Sequence, residues 1–185
     1  MNFTITRVGP MCKGWFILCM GFSLLMTSPV HAGERKHFEL GIASYSSVVS
    51  NDEPGIGNDE YSGVALYLNG AITNFAAIRF LYAMLKHEDE SVNSNITELS
   101  LLFGNGLGHV GWKIYAGPGL FNDRQTMGGS SYNFNGRHSI AGIGYDTNSV
   151  SLDAWLTIRD PSDYEDFIGV DVDVVSYAIS ISVRF

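Results

Sequence analysis

Cysteine is almost absent from this chain of 185 residues, which holds only Cys12 and Cys19. Both lie near the N-terminus, so the sequence beyond them has no thiol, no disulfide and no cysteine-based metal site. An exported protein without such cross-links must be held together by its backbone hydrogen bonds or by the solvent around it.

Long apolar runs are missing too, apart from one near the N-terminus. Residues 15–26 form that run, which follows Arg7 and Lys13 and precedes Val30-His31-Ala32. This order predicts a cleavable secretory signal over residues 1–32, because the run is too short to cross a membrane as a helix. Residues 33–185 are expected to form one domain. They contain no stretch of ten uninterrupted apolar residues, which excludes helical spans there.

Positive charge is scarce as well. Without residues 1–32 the chain keeps nine Lys and Arg residues against nineteen Asp and Glu, a net charge of −10. That balance argues against nucleic acid, heparin-like polymers and anionic head groups as general partners.

What the chain does have is side-chain alternation, seen best in residues 175–185. Successive side chains of a strand point to opposite faces, so this stretch predicts a strand with one apolar and one small or polar face. Ser176, Ala178, Ser180, Ser182 and Arg184 share the polar face. The apolar face holds Val175, Tyr177, Ile179, Ile181, Val183 and Phe185.

Seven earlier stretches repeat the pattern, which predicts eight strands. The breaks between them alternate from long to short, starting and ending with a long one. Tight turns at one end and longer loops at the other are typical of outer-membrane barrels and not of sandwiches. We therefore expect an all-β, eight-stranded, antiparallel up-and-down transmembrane barrel. The predicted strands are residues 37–45, 61–68, 74–85, 96–103, 109–120, 136–145, 150–159 and 175–185.

The face opposite the apolar one carries charges of both signs. In an eight-stranded barrel the interior is just wide enough for side chains to fill, so these groups are expected to pair inside a plugged lumen. Trp155 shares their phase, whereas either face of the sixth strand could be the apolar one. The predicted lumen charge network is Glu39, Arg79, Glu98, Lys113, Asp153 and Arg184.

Two motifs invite a catalytic or cofactor reading and support neither. Gly106, Gly108 and Gly111 have dinucleotide-fingerprint spacing, but a strand follows them where the fingerprint needs a helix. His138 and Ser139 are neighbours on a strand, so they point to opposite faces and do not form a base–nucleophile pair. We expect no catalytic residue, cofactor or metal, although a triad assembled only in space is beyond a single sequence.

Acidic residues collect in the predicted long loops of residues 46–60 and 160–173. Oxygen-rich clusters suit Ca²⁺ or Mg²⁺, but calcium-loop spacing is absent and solvated surface charge is the preferred interpretation. Some of the aromatic residues near strand ends or at outward positions are expected to contribute to interfacial girdles. Those residues are Tyr61, Tyr82, Trp112, Tyr145, Tyr177 and Phe185.

The layout of residues 33–185 resembles the small eight-stranded outer-membrane family that includes OmpX, Ail, PagC and Lom. The similarity is most specific in Gly142-Ile143-Gly144-Tyr145, in residues 149–155 and in residues 180–185. It implies a Gram-negative outer-membrane location. It also implies that the tail (Tyr177, Ile179, Ile181, Val183 and Phe185) is the signal read by the barrel-assembly machinery.

Some members of that family act in adhesion, invasion or complement resistance through extracellular loops. We therefore expect a non-enzymatic, monomeric barrel in outer-membrane lipid, with a structural or surface-interaction role and a host or surface ligand at its loops. The loops here are acidic and lack a basic or aromatic patch, so invasion itself is not carried over. A narrow channel or carrier is the alternative, and a lipid-modifying enzyme is the third possibility.

Overall fold

The computed structural model describes residues 36–51, 58–87 and 91–185, in which eight strands and one short helix form. Residues 1–32 lie outside the described part of the chain, so the signal peptide remains a prediction. The elements are β1 (Phe38–Asn51), β2 (Asp59–Ala71), β3 (Ala76–His87), β4 (Val92–Asn105), β5 (Gly111–Met127), β6 (Ser130–Asp146), β7 (Val150–Arg159), α1 (Ser162–Ile168) and β8 (Val172–Arg184).

Each strand pairs antiparallel with the next, and β8 closes the ring by pairing with β1. Glu39 lies opposite Arg184 and Ile42 opposite Ile181 in that closing ladder. The fold is therefore a closed, up-and-down, eight-stranded barrel, as the alternation predicts. No helix in the described ranges is long and apolar enough to cross a membrane.

The two faces of the wall differ in character along every strand. In β8 the inward side chains are buried, whereas Ile179 and Ile181 are exposed on the outside. An apolar exterior around a polar interior is stable only where hydrocarbon replaces water outside, which makes this a transmembrane barrel.

The sixth strand, whose phase the sequence left open, turns Ile143 and Tyr145 outward and Ile140 inward. Glycines occupy the next inward positions because large lumen side chains already fill the space. A Cβ at Gly142 would lie 2.5 Å from the Tyr115 ring, and one at Gly144 would lie 2.7 Å from Asp153. Glycine is therefore required here by close packing.

Two predicted loops contain regular structure instead. Residues 121–135 were expected to form a loop, which is wrong, because β5 and β6 continue through them and turn at Gly128-Gly129. Both turn residues have positive φ, 57° and 88°, which glycine adopts without steric cost. Residues 160–173, also expected to be a loop, contain α1 and the start of β8.

Candidate functional site: the filled lumen and the external cap

The lumen holds two groups of charged side chains, one toward each end of the barrel. We call the end with residues 72–75, 106–110 and 147–149 the turn end, and the opposite end the hairpin end. Five of the six predicted lumen charges, together with Asp146, form the turn-end cluster. Its members are Glu39, Arg79, Lys113, Asp146, Asp153 and Arg184, each at most 6% exposed.

Lys113 is the centre of the turn-end cluster. Its Nζ lies 3.1 Å from Glu39, 2.9 Å from Asp146 and 3.0 Å from Asp153. It also donates a hydrogen bond of 2.8 Å to Ser151. One ammonium group thus offsets parts of three buried carboxylates, whose mutual repulsion would otherwise destabilise the barrel.

Arg184 and Arg79 supply the other two positive charges. Arg184 lies 3.4 Å from Glu39 and 3.2 Å from Asp146. Arg79 Nε donates to Asn69 at 2.7 Å, its Nη2 donates to Tyr115 at 3.0 Å, and Asp153 lies 4.0 Å away. Three cations therefore face three carboxylates, and the cluster is neutral.

Aromatic rings surround the Arg79 guanidinium on the sides where it has no carboxylate. Its Cζ lies 4.4 Å from the ring centroid of Trp155, 4.9 Å from Tyr115 and 5.2 Å from Tyr67. A cation over aromatic faces is stabilised by the ring quadrupole. Trp155, which the sequence placed inward, therefore has a role in charge burial.

The hairpin-end cluster is centred on an ion pair between Arg159 and Glu98, whose closest atoms lie 2.8 Å apart. Tyr45 donates to Glu98 at 2.9 Å and accepts from Arg159 at 2.8 Å. Sequence reasoning named Glu98 but missed Arg159, and it assigned Asp146 to a turn. Both share the inward parity of their strands, so the alternation contained the signal for them.

Ser100 and His138 meet in this half of the lumen, with Ser100 Oγ 2.9 Å from His138 Nε2. This is the spacing of a nucleophile and its base. Both residues are at most 3% exposed, and His138 Nδ1 has no hydrogen-bond partner. Among the described residues, the pair therefore has neither an acid that orients the imidazole nor a path for a substrate.

The remaining lumen space is filled by large side chains. Tyr45, Tyr67, Tyr115 and Trp155 are all at most 4% exposed. A cavity of about 10 Å³ at the turn end borders Arg79, Lys113 and Tyr115, which is room for about one water molecule. In the described part of the chain, the lumen is a packed core.

At the hairpin end, β6 extends beyond β7, whereas β5 stays paired with β4 as far as its last residue, Met127. The ladder between β6 and β7 ends where His138 faces Arg159, so residues 130–137 project past β7. We call this projecting hairpin, together with α1, the cap. Tyr164 of α1 is only 2% exposed and stacks on Phe134, with ring centroids 4.4 Å apart and planes at 7°.

Hydrogen bonds fasten α1 to the hairpin. The Tyr164 hydroxyl donates to Asp123 at 2.9 Å, and the backbone N–H of Asn135 donates to Asp163 at 2.7 Å. Burial, reinforced by the neighbouring Asp123 charge, raises the pKa of Tyr164 well above its ordinary value. The neutral phenol is therefore the form that holds the cap in place.

At the start of α1, the carboxylate of Asp160 accepts two hydrogen bonds from Ser162. Ser162 donates to Asp160 through its hydroxyl at 2.7 Å and its backbone N–H at 3.2 Å. These hydrogen bonds hold the pKa of Asp160 below its ordinary value.

Among residues 36–51, 58–87 and 91–185, no group of three or more His, Asp or Glu side chains is arranged to hold a metal ion.

Five of the six residues named for the aromatic girdles are exposed on the barrel exterior: Tyr82, Trp112, Tyr145, Tyr177 and Phe185. Tyr61 is the exception, because it lies on the inward face of β2 and is only 6% exposed. The tail residues Tyr177, Ile179, Ile181, Val183 and Phe185 all face outward, while their assembly role stays a prediction.

No protein-family profile and no curated protein sequence matches the chain. Among solved structures, Neisserial surface protein A (NspA) superposes with a TM-score of 0.62 at 17% identity, over 80% of this chain and 97% of that one. Ail, the attachment invasion locus protein of Yersinia pestis, superposes with a TM-score of 0.52 at 17% identity, over 82% and 99%. The fold is thus that of the small eight-stranded outer-membrane barrels, and the expected resemblance is confirmed at the level of fold.

Proposed function

We propose that this protein is a monomeric outer-membrane barrel of a Gram-negative cell that acts through its hairpin end, in a structural or surface-interaction role. The observation that carries this proposal is which parts of the barrel surface are accessible to a partner in water. The outer wall is apolar and is taken up by lipid, and the lumen is packed with side chains. Within the described ranges, the cap is left as the surface where a partner can bind.

A channel or carrier role fits these observations less well. The cavity at the turn end has room for about one water molecule, and Arg79 and its surrounding rings fill the space beside it. Nor do we propose an enzyme, since Ser100 and His138 are buried away from any substrate. A surface role also agrees with the names of two proteins of the same fold, a Neisserial surface protein and an attachment invasion locus protein.

The location is tested by epitope insertion in the full chain expressed in Gram-negative cells. One tag is placed between Gly128 and Gly129 at the hairpin end, and a matched tag between Asn148 and Ser149 at the turn end. We expect antibody to label the first on intact cells and the second only after the outer membrane is permeabilised. Labelling of only the second tag, or of neither tag, on intact cells would overturn the proposal.

The interaction role is tested by comparing cells that carry the full protein with cells whose residues 122–135 are replaced by a two-residue turn, which shortens both arms of the hairpin to the pair Phe121 and Gly136. We expect only the former to adhere to immobilised host-matrix proteins or to other cells. Equal adhesion by both would remove the cap from the function.

Assembly is tested at the last residue. Deleting Phe185 removes the exposed aromatic terminus that stacks on Phe38, with ring centroids 6.1 Å apart. We expect less protein in the outer membrane, with export to the periplasm unchanged. A Phe185→Tyr variant is the control and should assemble as the parent does. Normal surface levels of the truncated protein would refute an assembly role for the tail.

A further inference from the structure

Three side chains of β5 and β6 hold one ring in the cap, although the sequence suggested that the loops lack an aromatic patch. Tyr164 stacks on Phe134 at 4.4 Å between centroids, and its ring lies 6.3 Å from that of Phe121 in nearly parallel planes. Its hydroxyl donates to Asp123 at 2.9 Å. We call Phe121, Asp123 and Phe134 the ring cradle. It recognises a flat ring by stacking and a hydroxyl by a carboxylate.

The ring cradle is built without help from α1. Asp123 lies opposite Phe134 in the ladder between β5 and β6. Its carboxylate also accepts a hydrogen bond of 2.6 Å from Ser94 and one of 3.1 Å from Gln125. Because these partners belong to β4 and β5, the carboxylate stays oriented when α1 leaves.

The helix that fills the ring cradle is weakly anchored. It spans seven residues, and Tyr164 is its only buried side chain. A helix of two turns is not stable by itself. Phe167 contacts Phe134 but stays 53% exposed. Between Asp160 and Asp173 there are six acidic residues and no basic one, which repel one another. The position of α1 therefore depends largely on one ring.

A site formed by one part of a chain and filled by a weakly anchored group of another part is arranged for competition. Tethering gives Tyr164 an effective concentration on the order of millimolar in the ring cradle. A free tyrosine side chain offers the same ring and hydroxyl. It displaces Tyr164 when the residues beside it add further contacts, which the tether does not offset.

We propose that the ring cradle binds a tyrosine side chain of another protein, and that Tyr164 is an internal competitor that blocks the cradle until it is displaced. The bound ring stacks on Phe134 and donates its hydroxyl to Asp123, while α1 is released into water. Residues 121–137 and 160–173 carry a net charge of −5, so basic neighbours of that tyrosine are favoured. This deepens the proposed surface role and rests on it for its biological setting.

The test uses the purified full barrel in discs of zwitterionic lipid, with N-acetyl-tyrosinamide as an uncharged probe. N-acetyl-phenylalaninamide, which lacks the hydroxyl, is the matched control. Binding is followed by the NMR shifts of the Asp123 and Phe134 amides. We expect saturable binding of the tyrosine probe to Tyr164→Ala. The phenylalanine probe should bind at least about tenfold more weakly, because the buried carboxylate then has no donor from the ligand.

The parent should bind the tyrosine probe at least about tenfold more weakly than Tyr164→Ala does, because its own ring fills the cradle. A second variant, in which residues 162–168 are replaced by a glycine–serine linker of equal length, empties the cradle independently and should bind as Tyr164→Ala does. Folding of each variant is checked by its gel mobility before and after boiling.

Substitutions in the Tyr164→Ala background locate the site. Phe134→Leu should weaken binding of the tyrosine probe about tenfold. Asp123→Leu should remove the preference for the tyrosine probe over the phenylalanine probe. Tyr82→Leu changes an aromatic residue on the outer face of the barrel and should leave binding unchanged.

Displacement is tested in the parent by proteolysis of residues 160–171. At a concentration of the tyrosine probe about ten times its dissociation constant for Tyr164→Ala, cleavage should accelerate about tenfold, because the ligand increases the open population by that factor. The phenylalanine probe at the same concentration should have little effect.

Absence of saturable binding to both variants with an empty cradle, or equal affinity of the two probes, would overturn the proposal. So would cleavage of the parent at a rate that the tyrosine probe does not change. Binding by the purified barrel, combined with failure to label the tag at Gly128 on intact cells, would retain the cradle and reject the surface role. Labelling of that tag without binding would do the reverse.

Discussion

In the barrel wall the exposed side chains are apolar and charged side chains are buried in the lumen, whereas in α1 of the cap Tyr164 is buried and charged side chains are exposed. Ile179 of β8 is 72% exposed while Arg184 on the same strand is 3% exposed. In the cap, Tyr164 is buried and the acidic residues of α1 lie at the surface. The same chain thus sorts its side chains for hydrocarbon along the wall and for water at the hairpin end.

The difference also shows in how each region treats charge. In the turn-end cluster three carboxylates face three cations at 4.0 Å or less. Between Asp160 and Asp173 there are six acidic residues and no basic one. Charge that cannot reach water must be paired, but charge that faces water need not be. This contrast distinguishes the interior of the membrane-spanning wall from the water-exposed cap.

The largest expected loss of stability comes from removing one partner of the buried, paired charges. Lys113→Met removes the ammonium shared by Glu39, Asp146 and Asp153, and leaves the cluster with one uncompensated negative charge. We expect the free energy of unfolding to fall by about 3–5 kcal/mol, measured by urea titration in lipid vesicles. Lys86→Met, on the exposed outer face, should change it by less than about 0.5 kcal/mol. A loss below about 1 kcal/mol for Lys113→Met would contradict the buried cluster.

A charge introduced on the lipid-facing side of the barrel should lower the free energy of unfolding somewhat less than the loss of Lys113. Ile181 is half exposed on the outer face of β8, beside Ile42 and Leu152. Ile181→Arg should destabilise the barrel by about 2–4 kcal/mol, and Ile72→Arg at the turn end by about 1 kcal/mol or less, because the penalty depends on depth in the bilayer. The same unfolding assay applies. Equal costs at the two positions would mean that the outer face of β8 does not lie in hydrocarbon.

The smallest effect is expected in the cap. Tyr164→Ala removes the stacking on Phe134 and the hydrogen bond to Asp123, so α1 should detach and residues 160–171 should become cleavable by protease. The barrel itself should keep its stability to within about 1–2 kcal/mol, since local opening does not require global unfolding. Loss of the folded barrel in this variant would show that the cap and wall are one unit.

The cap should also open at alkaline pH. Because burial raises the pKa of Tyr164, the folded cap keeps the proton that a free tyrosine releases near about pH 10. The cap's stability is thus fully present below that pH and is lost as the pH rises toward the raised pKa. Hydrogen exchange of residues 160–171 should accelerate above about pH 10 in the parent. It should show little pH-dependent opening in Tyr164→Phe, and identical profiles would contradict this.

Much of the wall can be predicted from the sequence because the alternation of side chains along one strand is enough to assign each residue to a face. A period of two assigns Ile181 outward and Arg184 inward without knowledge of any neighbour. The pairing partners need register, which depends on contacts across the barrel. For this reason the alternation assigns Arg184 to the lumen without giving its partners, which in the structure are Glu39 and Asp146.

The cap could not be predicted in the same way. Gly128-Gly129 and the polar residues around it have loop composition, although β5 and β6 continue through this region. The docking of Tyr164 on Phe134 joins residues thirty positions apart, and no local pattern indicates it. For a related reason the sequence does not decide the place of Tyr61, because an aromatic residue near a strand end suits a girdle as well as the mouth of a packed lumen.

The central claim is that the wall of this barrel has lipid outside and packed side chains inside, and two tryptophans report on it directly. Trp112 is 73% exposed on the outer face of β5, whereas Trp155 is 4% exposed in the lumen. The third, Trp15, belongs to residues 1–32. Residues 33–185 carrying Trp155→Phe or Trp112→Phe are folded into bilayers whose acyl chains are brominated near the head groups, and fluorescence quenching is measured. We expect strong quenching of Trp112 and little of Trp155. Equal quenching of both, or quenching of Trp112 by aqueous iodide and not by the lipid, would contradict it.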